Sequence, residues 1–457
     1  MFGIGGMIGG GIFALSGEIA LKAGLGAILV FIITGFIALS SGLVYAEFST
    51  RIVSSGGGYS FVYETFPEFL GFVTGWWFFL AYTFAGAFYA EVFGKYLSVM
   101  TGVPYIIWST VLAIMFAIIN FIGIKESSIA EIVLTLFKLF LIAFFVLSGL
   151  LCLDIIEALL KAEIQFSGAL LMIATVFIAF EGFDVIATLS SEMKNPTKDA
   201  PKAIISSILI VTSLYILVVI IVLATIIKYG IPSNAIPEEI ILYSAKYVIG
   251  VLGSTLLGAG AIISTISAYN ATLCAASRVG LSMGENRALP RIFRLTHPKT
   301  RTPHASIFLS TTIILLLLIG SSFIFSAEEI SIVFSQLASL AFAFSFAMVD
   351  FSLIIYRGIY GNSMNGFHVP LYPVIPLFGF MSAFIIGGIL ASFSITVFLV
   401  FLLLTLFGIV FYLAIMRRAK SLEEVLRIII NDFTRAKEAL SIRKLIKLER
   451  ENKTGNP

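Results

Sequence analysis

Three ionisable side chains stand where charge is expensive. Glu181 and Asp184 lie in FIAFEGFDVIATLSSEMKNP, residues 177–196, and Lys138 lies in LTLFKLFLIAFF. Apolar residues flank each of them. Carboxyls at such a depth are by default functional. Burial penalises an ammonium, so Lys138 could take and release a proton. The alternative for Lys138 is snorkelling to an interface, but the helix on either side of it is mostly apolar. Asp184 could instead cap a helix start. Glu181 could line a pocket, pair with a base elsewhere, or face a hydrated cavity.

Glycine supplies the second kind of chemistry. GIGGMIGGGIFALSG, residues 3–17, holds Gly3, Gly5, Gly6, Gly9, Gly10, Gly11 and Gly17, and Gly182 separates the two carboxyls. Each glycine costs a helix about 1 kcal/mol relative to alanine. Close packing of the G-x-x-x-G type explains one face of a helix, but not three consecutive glycines. A break at Gly9-Gly10-Gly11 frees backbone N–H groups at the start of a new half-helix near Ile12, which suits a carboxylate. A break at Phe180-Glu181-Gly182-Phe183-Asp184 leaves carbonyls at the end of a first half-helix, which suits an ammonium. Donors for a carboxylate and acceptors for an amine together match an α-amino acid. Paired Gly-interrupted apolar segments, one in each half of a chain, point to a transport site.

These elements need a membrane around them. The 457 residues are 59% apolar and 12% charged, with a mean hydropathy of +1.05. A soluble protein of this size cannot hide that much apolar surface. About 20 apolar residues cross a bilayer. Twelve spans are expected, at roughly 2–23, 26–50, 68–100, 103–123, 127–152, 167–191, 201–228, 240–284, 304–323, 329–356, 370–391 and 393–416. With the N-terminus inside, the inner loops hold Arg51, Lys125, Lys194, Lys198, Lys202, Arg278, Arg287, Arg291, Arg294, Lys299, Arg301 and Arg357. The outer loops hold Lys22, Lys161 and Lys228, with Lys246 at the outer end of the eighth span. That bias places both termini in the cytoplasm. No cleavable signal peptide is expected. The eight residues before Gly9 span roughly 12 Å of helix, short for a half-helix, so a longer native N-terminus is expected.

The charges therefore serve topology, and no nucleic-acid partner is expected. Cys152 and Cys274 form no C-x-x-C pair, and His297, His304 and His368 are scattered. No metal, cofactor or enzymatic cluster is expected. Glu91 and Lys95, at i and i+4, are expected to pair, and Asp350 is a candidate partner for Arg357. The tail 417–457 carries eleven Lys/Arg and six Asp/Glu. Its Leu422, Val425, Leu426, Ile429 and Phe433 recur at helical spacing, so it reads either as an interfacial amphipathic helix or as a solvated one.

Four motifs in order carry a family resemblance. They are Gly5-Gly6-Met7-Ile8-Gly9-Gly10-Gly11-Ile12-Phe13; Tyr45-Ala46-Glu47 with Gly56-Gly57-Gly58-Tyr59; Phe180-Glu181-Gly182-Phe183-Asp184 with Glu192, Lys194-Asn195-Pro196, Pro201 and Ala203-Ile204; and Ala276-Ser277-Arg278 with Leu289-Pro290, His297-Pro298 and Thr302-Pro303. From residue 3 to about 416 the chain resembles the amino acid–polyamine–organocation (APC) transporters, in the branch of cationic amino acid transporters and their prokaryotic relatives. The resemblance implies an all-α membrane protein with a LeuT-like five-plus-five inverted repeat, at about 1–152 and 167–356, with two further helices at 370–416. Helices 1 and 6 would be broken. It implies a substrate carboxylate on the amides of Gly10 and Gly11, and an amine on the carbonyls of Met7, Ile178 and Glu181. Ile178, Phe180 and Phe183 would line the site, beside Ile8, Gly9, Gly182 and Asp184. Lys138 would face the carbonyl of Gly5 and a hydroxyl of Ser264 or Ser267, making a proton the coupling ion. Glu181 departs from the family's small or apolar residue at its position. The expected function is a secondary active amino acid transporter of the cell membrane working by proton symport. An amino acid/amine exchanger is the alternative, ahead of a channel or a solute-sensing receptor.

Overall fold

The computed structural model describes residues 2–52, 56–123, 128–188, 190, 193–231, 239–298, 302–361, 366–416, 430–432 and 434–435. The helical pattern expected of the tail lies outside the described residues, as do Ser54, Ser55, Lys125, Glu192, Lys299 and Arg301. Within the described residues the chain is all helix, with one isolated antiparallel bridge between Gly24 and Ile164. Lipid offers backbone groups no partner, so each span closes its own hydrogen bonds.

The first span is two pieces, α1 (Phe2–Met7) and α2 (Gly10–Ala23). There follow α3 (Gly26–Arg51), a short α4 (Gly58–Tyr63), α5 (Glu68–Thr101), α6 (Tyr105–Ile122), α7 (Ser128–Cys152) and a short α8 (Ile155–Lys161). The sixth span is α9 (Phe166–Val176), a 3-10 turn (Phe177–Phe180) and α10 (Phe183–Thr188). Then come α11 (Pro196–Tyr229), α12 (Ile240–Ile249), α13 (Val251–Glu285), a 3-10 turn (Arg291–Arg294), α14 (His304–Ser321), α15 (Ala327–Tyr360), α16 (Val374–Phe393), α17 (Ile395–Phe411) and a π turn (Tyr412–Met416). Eleven described helices, counting the sixth span as one, are long and apolar enough to cross a bilayer. The split first segment completes the twelve spans. One expectation is corrected. The eighth expected span, 240–284, is two helices and not one. Gly250, at φ 91°, turns the chain between α12 and α13.

Packing follows from which faces are apolar and small. The long α5 is largely enclosed and packs on α13 and α15, while α3 packs on α11. The Trp76 indole donates to the Leu404 carbonyl (2.9 Å) and Trp77 to the Thr405 hydroxyl (3.0 Å), tying α17 to α5. Outer helices expose Phe140, Leu147, Leu403 and Phe407, a surface suited to lipid rather than water. The end of α2 is stitched to the approach of α9. Leu25 N–H donates to Glu163 O (2.9 Å) and Gln165 N–H to Ala23 O (3.1 Å). The two broken spans are thereby held side by side.

Candidate functional site

The first break lies between Met7 and Gly10. Gly9 is extended, with no side-chain cap on α2, and its N–H turns back to Met7 O (2.8 Å). The first amides of a helix have no acceptor within it, so Gly10 and Gly11 offer N–H groups at the positive end of α2. The second break begins in the 3-10 turn. Glu181 is extended and Gly182 has φ +120°. Asp184 Oδ1 accepts from Gly182 N–H (3.0 Å), and the Tyr82 hydroxyl of α5 donates to Asp184. Asp184 thus holds the start of α10 and anchors it to α5.

The breaks meet backbone to backbone. A Cβ on Gly182 would stand 2.8 Å from both Gly6 C and Met7 N, and one on Gly11 would stand 3.1 Å from Ala179 Cα. Only glycine permits this approach at a positive φ. On the other side of α2, the Tyr89 ring and Thr265 and Ala268 of α13 abut Gly9 and Gly10. Phe183 packs edge-on to Tyr45 (5.5 Å) and against Phe346 (5.1 Å). Ile8, Ile178, Phe180 and Phe183 are all fully enclosed.

Lys138 reaches the first break from α7. Its buried ammonium donates to the carbonyls of Gly5 (3.2 Å) and Ile8 (3.3 Å). Gly5 was expected from the sequence, whereas Ile8 had been assigned to substrate. Ser264 is buried and its Oγ has no hydrogen-bond partner among the described residues, so it does not reach Lys138. Ser267, three residues on along α13, is also buried.

The carbonyls assigned to an amine are partly engaged. Ile178 O accepts from Glu181 N–H (3.0 Å). Met7 O accepts from Gly9 N–H and lies within reach of the Tyr215 hydroxyl. Tyr215, on α11, also reaches Ala179 O (3.0 Å), so its one proton is shared between the two breaks. Ser339 of α15 takes Ile178 N–H (2.9 Å) and gives to Thr175 O (3.1 Å). It mends the helix ladder where the second break opens it. Neither Tyr215 nor Ser339 was anticipated. The one available signal was a single tyrosine in the aliphatic run of α11.

The other buried acids have partners. Glu91 pairs with Lys95 (3.0 Å), as expected, and also accepts from Ser331 (2.7 Å). Asp350 accepts from Ser41 (2.7 Å) and is not the partner of Arg357. Arg357 instead forms a bidentate pair with Glu47 of α3, which also takes Arg51 (2.6 Å) and Val369 N–H (2.7 Å). No group of three His, Cys, Asp or Glu side chains could hold a metal ion among the described residues.

This geometry agrees with what the chain is similar to. The sequence profile described as "Amino acid permease" matches residues 1–423. The branched-chain amino acid permease BcaP of Bacillus subtilis (strain 168) is 27% identical over 447 residues, covering 93% of this chain and 93% of that protein. The serine/threonine exchanger SteT of the same organism is 28% identical, covering 84% and 88%. Cationic amino acid transporter 6, chloroplastic, of Arabidopsis thaliana is 27% identical, covering 67% and 57%. With its profile matched almost end to end and its first and sixth spans broken face to face, the chain belongs to the amino acid permease family of the APC superfamily, whose members are membrane transporters and not enzymes.

Proposed function

We propose that this permease moves amino acids across the cytoplasmic membrane by alternating access, in symport with protons. Both termini are cytoplasmic in this reading, as the basic loops require. Residues 1–152 and 167–356 form the two inverted repeats, with α16 and α17 outside them. The carrying observation is the pair of breaks in contact, with no side-chain cap on the amide end of α2 and the Lys138 ammonium holding the carbonyls of the first break. A solute carboxylate takes the amides of Gly10 and Gly11. The amine faces the carbonyl ends near Met7, Ile178 and Glu181, with Ile8, Gly9, Gly182 and Asp184 shaping the gap. Lys138 supports the first break most strongly while it is charged. Loss of its proton leaves a neutral amine whose hydrogen bonds to the Gly5 and Ile8 carbonyls are no longer charge-assisted, which loosens that backbone and couples proton release to movement of α1. Ser267 is the α13 hydroxyl assigned to this step.

The test is uptake of a panel of amino acids by proteoliposomes under an inward proton gradient, an inward sodium gradient or neither. Saturable uptake driven by protons alone supports the proposal. The second reading is exchange, favoured by the similarity to a serine/threonine exchanger. It requires uptake that depends on internal amino acid and survives collapse of the proton gradient.

A further inference from the structure

Glu181 differs from every other buried acid of the described spans. Glu18, Glu47, Glu91, Asp184 and Asp350 each have a lysine, arginine, hydroxyl or backbone partner. Glu181 is 4% exposed, and its Oε2 has no hydrogen-bond partner among the described residues; Asp350 also leaves Oδ1 unpaired, but its Oδ2 accepts from Ser41. It is not needed as a cap, because Asp184 takes Gly182 N–H. The ammonium of Lys138 is directed at the carbonyls of Gly5 and Ile8.

The carboxyl is also in the right place. Glu181 directly precedes Gly182, whose backbone is packed against Gly6 and Met7 of the first break. The Tyr89 ring lies against Gly9 and Gly10. Glu181 therefore stands where the two breaks meet. The groups near it are Asp184 on its own span and Tyr82 and Tyr89 from α5. None is a cation. The backbone alternative is partly used up, since Met7 O and Ile178 O already accept hydrogen bonds. A buried carboxylate without a partner is costly, and a cation delivered to it recovers that cost.

We infer that the Glu181 side chain is the cation site of the transported solute, where its carboxylate takes an alkylammonium group. The inference rests on the two breaks being the solute site. The ammonium is either the α-ammonium common to all amino acids or a terminal ammonium on a side chain.

Glu181→Gln keeps the shape and removes the charge. Binding is measured calorimetrically on purified full-length protein. One pair of probes is a neutral L-amino acid that the wild type binds and the α-hydroxy acid with the same side chain. The other is L-lysine and L-norleucine. Losing one partner of a buried charge pair weakens binding by about 30-fold or more. That loss for amino acids, with hydroxy-acid affinity unchanged, places the α-ammonium on Glu181. Loss confined to L-lysine places the terminal ammonium there. Equal loss for the amino acid and the hydroxy acid, or no loss for any probe, overturns the inference. So does a lower unfolding temperature of the empty variant, because a carboxyl without a partner holds nothing together. A wild type that binds no amino acid would instead remove the underlying reading of the breaks.

Discussion

Replacing Gly182 by alanine tests the contact on which the site depends. An L-residue at φ +120° is strained by roughly 1–3 kcal/mol. The added methyl would also stand 2.8 Å from Gly6 C and Met7 N, an overlap with backbone that costs roughly 1–3 kcal/mol more where neighbours cannot yield. They cannot yield cheaply here. The Gly5 and Ile8 carbonyls are held by Lys138, and Tyr215 holds Met7 O. The sum, about 2–6 kcal/mol, either separates the breaks or unfolds the segment. Each 1.4 kcal/mol taken from the working geometry is about a tenfold loss of rate. Gly182→Ala should therefore lower initial uptake in proteoliposomes at least about tenfold, with a lower unfolding temperature in detergent. Gly388→Ala is the control, since nothing lies within 4 Å of its added methyl. A Gly182→Ala protein matching both wild type and control in uptake and melting would refute the reasoning.

Three further outcomes follow from named contacts. Tyr215→Phe strips a donor from Met7 O and Ala179 O and should destabilise the paired breaks by about 1–3 kcal/mol, read as a raised KM with the protein still folded by size exclusion. Arg357→Ala leaves the buried Glu47 short of its bidentate partner and should cost about 3–5 kcal/mol of stability, seen as a lower melting temperature; adding Glu47→Gln should restore part of it. Ser339→Ala frees Ile178 N–H and Thr175 O at the second break, and should cost about 1–3 kcal/mol and slow uptake more than it lowers the melting temperature.

The breaks were legible in the sequence because glycine marks them locally. Gly9-Gly10-Gly11 and Gly182 state their backbone needs without any knowledge of the fold. The carboxyls were legible for the same reason, being costly wherever the spans pack. What holds the breaks was not legible. Tyr215 is 208 residues from Met7 and Ser339 is 161 from Ile178, and nothing local distinguishes them from other polar residues in membrane helices. The same limit explains the misassigned partner of Arg357. Asp350 is close in sequence, but Glu47, 310 residues away, is the one in contact. The turn at Gly250 was missed because glycine is common in membrane helices, and one more in VIGVLGSTLLGAGA carries little signal without its φ.

The most direct measurement follows protons and solute together. Proteoliposomes containing a pH-sensitive dye receive external amino acid, and lumenal acidification is recorded alongside labelled uptake for wild type and Lys138→Ala. Proton symport through Lys138 predicts that amino acid addition acidifies the lumen in wild type, and that the variant loses acidification and concentrative uptake together. Uptake without acidification, needing only internal amino acid and unchanged in Lys138→Ala, would contradict it.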